Sequence, residues 1–251
     1  MKVPGGAKRL CTEVVDLIAE YERLEGILRG LTEAQWASPS GAPGWTVTAV
    51  VVHLAQTEEE VAATLQQPSD EWHVRDRPLD HAVDDRVLAE VAAPSLVLER
   101  WAAACRASVD ALRRADPTCA YRWAAAPLRP RTLATTRLAE HWAHGLDVTD
   151  PLAIRFDDTD RLRHIAWLGH ATLPYAMRLH GIEPADVRVE LEAPSGDRWC
   201  FGPPDAPDRI TGAIGAFCRV GAQRVRPEDS GLEVSGLGAA DALRVLRNYA
   251  A

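Results

Sequence analysis

Between residues 10 and 180 the apolar side chains return every three or four positions in five successive segments, and no stretch of strict alternation interrupts them. That period is one turn of an α-helix, so most of the chain is committed to helices that must bury their apolar stripes against one another. In the first segment Leu10, Val14, Leu17, Ile18, Tyr21, Leu24 and Leu28 share a face. A run rich in Pro, Gly and Ser at 38–44 then stops the pattern before Thr46, which is suited to cap a second helix running to Gln66. Residues 67–86 are charged and read as irregular, whereas 94–115, 133–148 and 160–180 read as further helices, the last opening near Asp158 or Thr159. Five helices without a strand between them predict a helical bundle.

Past Gly181 the period changes from helical to alternating. Val187, Val189 and Leu191 alternate with Arg188, Glu190 and Glu192, and 198–201 follows a Pro-Ser-Gly-Asp turn, which predicts a β-hairpin. Helical patterning returns at 208–224, 232–234 suits a third strand, and 239–249 suits a terminal helix. The expected fold is therefore mainly α with a small α+β domain: a helical bundle over 1–181, followed by an α+β domain over 182–251.

The formal charge of −8, with both signs interspersed and no basic block, argues against partners such as nucleic acid or an anionic membrane surface and favours a small-molecule substrate. Because no window reaches the roughly 18 apolar residues of a membrane span, the chain reads as cytoplasmic. The 47% hydrophobic content supports real cores, either in a monomer or in a small homo-oligomer. Cys11, Cys105, Cys119, Cys200 and Cys218 are scattered, without a Cys-x-x-Cys pair, and read mostly as small buried hydrophobes. Lysine occurs only at positions 2 and 8 while Arg and Ala abound, the coding bias of a GC-rich, actinobacterial genome.

Glu140 and His144 stand one helical turn apart, so both side chains can reach one ion. Their stripe, Leu133, Arg137, Glu140, His144 and Asp147, is mostly polar and lies opposite Leu138, Trp142 and Leu146. Periodicity alone reads this stripe as a solvated face, on which the pair is worth about 0.3 kcal/mol. His141 points about 100° away and is not counted as a ligand. His53 sits in the apolar run Val50-Val51-Val52-His53-Leu54-Ala55, where an imidazole without a partner costs about 1–3 kcal/mol. Either a metal or a backbone carbonyl meets that need. His164, His170 and His180 do not share a helical stripe and read as nonligands, and Trp45, just before the second helix, is placed to border a pocket.

Gly44-Trp45-Thr46-Val47 with Val51-Val52-His53-Leu54, and the run Arg137-Leu138-Ala139-Glu140-His141-Trp142-Ala143-His144-Gly145-Leu146-Asp147, resemble the signatures of mycothiol-dependent maleylpyruvate isomerases. The resemblance continues through Trp199-Cys200-Phe201-Gly202, Ile210-Thr211-Gly212, Phe217-Cys218 and Gln223-Arg224. It implies a DinB-like four-helix bundle holding Zn2+, or another divalent metal, through His53, Glu140 and His144. It also implies mycothiol as co-substrate, for isomerisation or S-transfer on an unsaturated carboxylic substrate. Arg224 is then the catalytic arginine of the C-terminal domain, Asp147 a group orienting a ligand imidazole, and Trp45 a cofactor-binding residue. Other readings stay open: a thiol-independent metal-assisted lyase, hydrolase or cyclase, or a noncatalytic metal- or ligand-binding protein.

Overall fold

The apolar face of the first segment folds as α1 (Thr12–Arg29), which buries Val14, Leu17, Tyr21, Leu24 and Leu28. The computed structural model describes residues 11–66, 79–123 and 126–248. A capping box, Thr32 with Gln35, then starts the one-turn α2 (Glu33–Trp36). Thr46 caps α3 (Val47–Thr64) by accepting from the Ala49 N–H at 3.2 Å. The Val-rich start of α3 is buried on all sides. α4 (Leu79–Ala89) occupies part of the stretch expected to be irregular; 67–78 lie outside the described residues. Its apolar signal is slight, and among residues 83–89 Val87 alone is buried. α5 (Pro94–Arg114) and α6 (Pro130–Thr149) both begin on a proline, whose missing N–H costs nothing in a first turn.

α3 packs on α5 and α1 on α6, and the pairs close through α3 with α6 and α1 with α5, giving the expected four-helix bundle. This first unit ends at Phe156. The second begins at Asp157, ahead of the 181/182 boundary expected from the sequence, because α7 (Leu162–Leu179) packs on the elements that follow it. Asp158 does not cap α7; it forms an ion pair with Arg219 at 2.9 Å. Gly181, at φ +68, closes the helix as its left-handed C-terminal residue.

In the second unit β1 (Val187–Glu192) and β2 (Arg198–Phe201) form the expected hairpin. The helix expected over 208–224 is corrected: its first part is β3 (Asp208–Ala213), parallel to β1, and only α8 (Ile214–Gly221) is helical. β4 (Glu233–Ser235) completes a sheet of order β2-β1-β3-β4, and α9 (Leu237–Val245) ends the unit. α7 packs on α8 and α9, and both of these reach β1 and β3, so the core lies between the sheet and these helices. Only Cys105 and Cys218 are buried; Cys11 and Cys200 are exposed, contrary to expectation, because Cys200 falls on the exposed face of β2 and Cys11 on the entry to α1. No helix among the described residues is long and apolar enough to cross a membrane.

Candidate metal centre

The polar stripe of α6 is not a solvated face. Arg137 and Asp147 are buried along with Leu138, Trp142 and Leu146 on the other side, because α6 packs on both α1 and α3. Burial of polar groups demands partners, and the stripe finds them on α3. His53 Nε2 lies 2.9 Å from Glu140 Oε1, and His144 Nε2 lies 3.5 Å from the same oxygen. The three potential ligand atoms all lie within 4.8 Å of one another. The two imidazoles stand edge to face, 5.0 Å between centroids. Glu140 keeps 27% of its side chain exposed against 12% for His53 and 14% for His144, so the cluster is partly open to solvent.

The surroundings fix these groups. His144 Nδ1 is 2.8 Å from Asp147 Oδ2, so the carboxylate orients the ring and leaves Nε2 aimed at Glu140. Asp147 is itself held: its carbonyl accepts from the Gly41 N–H at 2.8 Å, and a Cβ on Gly41 would stand only 2.9 Å from its Oδ1. Trp45, on the same loop, lies with its ring 5.1 Å from His53 and stacks on His144 at 6.2 Å. Its indole N–H donates to Asp84 Oδ1 on α4 at 2.8 Å. Trp45 therefore walls the cluster, with α4 as its anchor.

Electrostatics sharpen the set. Burial opposes ionisation of Glu140, yet hydrogen bonds from His144 and His53 and the Arg137 charge prevail and hold its carboxyl well below the usual range. Burial lowers His53, only partly offset by Glu140. Burial also works against the His144 cation, but Asp147 and Glu140 outweigh it and raise the group to about 9. His141 stays outside the cluster, as expected: the Trp101 N–H donates to its Nε2 at 3.1 Å, Nδ1 faces the Arg137 carbonyl at 3.0 Å, and burial brings it to about 4. His170 and His180 face the carbonyls of Val187 and Ala176.

The family model of the mycothiol maleylpyruvate isomerase N-terminal domain matches residues 17–149, which span both helices that carry the cluster. The chain belongs to this family. Similar proteins include the uncharacterized proteins Rv0036c and MT0041 of Mycobacterium tuberculosis, strains H37Rv and CDC 1551, each 35% identical over 220 residues and 84% of either chain. Among solved structures, the mycothiol-dependent maleylpyruvate isomerase matches with a TM-score of 0.62, and a histidine-to-alanine mutant of it with 0.61. Both are 15% identical and cover 89% of this chain and 91% of theirs, a likeness of fold.

Arg224 belongs to the second unit. There it follows α8, its N–H bonded to the Arg219 carbonyl and that of Gln223 to Val220, both at 2.9 Å. Gln223 takes φ +61 to close this helix end, and Arg224 Nη1 donates to the Ala222 carbonyl at 2.6 Å. Sequence reasoning missed Asp84 and Gly41. Neither carries a local signal, since the role of each depends on a side chain distant in sequence.

Proposed function

We propose that this family member is a metal-dependent enzyme, zinc being the first choice of ion, that uses mycothiol for isomerisation or S-transfer on an activated, unsaturated carboxylic substrate. The observation that carries the reading is the convergence of two imidazole Nε2 atoms and one carboxylate oxygen in a partly open cluster. This is the donor set of catalytic zinc sites, which keep a position for water or substrate. The fit extends to Asp147, because carboxylate–imidazole pairs commonly orient metal-binding histidines. A metal bound by His53, Glu140 and His144 would supply positive charge that favours the thiolate, the nucleophilic form, of a low-molecular-weight thiol.

The chain's own residues do the rest. Asp147 holds the ring of His144, and the Trp45 ring covers the imidazoles and limits water on that side. Arg224 is proposed as the partner of a substrate carboxylate, a role that suits a planar two-pronged donor and not a lysine. The thiol comes into the reading from the family and from the solved relative named a mycothiol-dependent isomerase.

The test is elemental analysis of purified protein, followed by calorimetry of mycothiol binding to the zinc-loaded form in two buffers of different ionisation enthalpy. The expected result is about one zinc per chain, absent from the His53→Ala/Glu140→Ala/His144→Ala variant, and thiol binding that releases protons near neutral pH. Full zinc content in the triple variant overturns the metal reading. A zinc-loaded protein that ignores mycothiol replaces the thiol reading with thiol-independent lyase, hydrolase or cyclase chemistry.

A further inference from the structure

A buried charge pair links α3 and α6 one turn away from the candidate centre. Glu58 and Arg137 are 0% and 3% exposed. Arg137 Nε donates to Glu58 Oε1 at 2.7 Å, and its Nη2 donates to Thr57 Oγ1 at 2.7 Å. The Thr57 hydroxyl is shared in turn between the His53 and Leu54 carbonyls, both at 3.1 Å. Thr57 and Glu58 lie one turn after His53 on α3, and Arg137 lies just under one turn before Glu140 on α6. The chain of bonds thus runs from the backbone of one proposed ligand to the helical turn that leads into the other two.

The setting of this pair is closed. Tyr21 from α1, Cys105 and Ser108 from α5, and His141 from α6 surround it, and the Trp123 ring lies 5.6 Å from the guanidinium carbon. Burial pushes the Tyr21 and Cys105 groups up and the His141 imidazole down, so all three are neutral around the pair. A buried ion pair is an expensive way to hold two helices together: apolar residues of similar volume often do as well or better for stability alone. What apolar packing lacks is directional control over the sliding and rotation of one helix against the other.

We infer that the Glu58–Arg137–Thr57 bridge is the positioning device of the His53/Glu140/His144 centre, setting the register of α3 against α6 and with it the approach of His53 Nε2 to Glu140 Oε1. This rests on the metal reading above. None of the three is itself a proposed ligand; each acts through the helix that carries one, and Arg137 adds its charge beside Glu140.

The experiment titrates metal-free, full-length protein with Co(II), reading affinity by chelator competition and coordination by the visible d–d spectrum. Thr57→Val, of similar volume, should weaken cobalt binding about tenfold, the low end for groups that support metal ligands, when titrated well below the melting temperature, which falls because Arg137 Nη2 loses its acceptor. The Glu58→Met/Arg137→Met double variant should melt at or above the parent when metal-free, yet bind cobalt at least about tenfold more weakly with an altered spectrum. Arg137→Lys in place of the apolar pair should recover part of the affinity. Parent-like affinity and spectrum in the double variant overturn the inference and leave the pair a packing element only. If the double variant does not fold, Thr57→Val decides alone, and unchanged cobalt binding in it overturns the inference equally. A parent that takes up no cobalt, or that binds it equally without His53, Glu140 and His144, removes the metal reading itself and the bridge's role with it.

Discussion

At His144 burial and hydrogen bonding pull in opposite directions, and the outcome should govern how the proposed centre takes up an ion. Asp147 and Glu140 raise the imidazole to about 9 in the absence of metal, so near neutral pH the nitrogen that should bind the ion carries a proton. An incoming divalent ion must displace that proton. The sign follows: below about pH 9 protons compete with metal, so apparent zinc affinity should climb as pH rises from about 6, by up to about tenfold per unit, and then level off. Zinc titrations against a competing chelator at several pH values measure this, and a flat profile contradicts it. Asp147→Asn keeps a polar partner but removes the charge, so the plateau should begin at lower pH while its limiting affinity drops about tenfold.

Among the elements, α6 is the most constrained, buried on both its polar and its apolar sides. Gly145 shows the tightness: a Cβ there would stand 2.6 Å from the Phe156 ring, which is covered by the Arg23 guanidinium at 3.5 Å. Because an aromatic ring so enclosed has little room to yield, Gly145→Ala should destabilise the protein by about 1–3 kcal/mol, read as a lower denaturation midpoint. Gly41→Ala pushes on Asp147 instead, from an exposed position, and should reduce zinc affinity more than stability. Loss of the Thr46 cap on α3, in Thr46→Ala, should cost about 1 kcal/mol.

For the whole molecule, an ion that binds only the folded state stabilises it by mass action. Zinc at about 100 times its dissociation constant should add about 2.7 kcal/mol to the unit that holds the centre, visible as a rise in melting temperature absent from the triple alanine variant. The second unit is tested through Arg224. Arg224→Lys should leave zinc content and fold intact while cutting turnover at least about tenfold, or about 1.4 kcal/mol in the barrier. Arg226, 73% exposed and paired with Asp229, is the control; Arg226→Lys should be close to the parent. Wild-type turnover in Arg224→Lys removes that residue from the proposed mechanism.

Elements whose evidence is local could be read from the residues alone. Helical spacing located α1, α3, α5, α6 and α7, alternation located β1, the turn after it located β2, and the one-turn spacing of Glu140, His144 and Asp147 placed those three together on one helix. Which elements lie side by side follows only from the packed fold. β3 has a single fully buried apolar residue, Ile210, and exists as a strand because β1 and β4 satisfy its backbone on either side. α7 has the amphipathic pattern of a bundle helix, yet packs with α8 and α9. The polar stripe of α6 reads as a solvated face until α3 lies against it, since spacing along one helix says nothing of what faces it. His53 meets Glu140, Asp84 holds Trp45, and Glu58 pairs with Arg137 across gaps of 87, 39 and 79 residues, distances over which only packing, not chain geometry, brings side chains together.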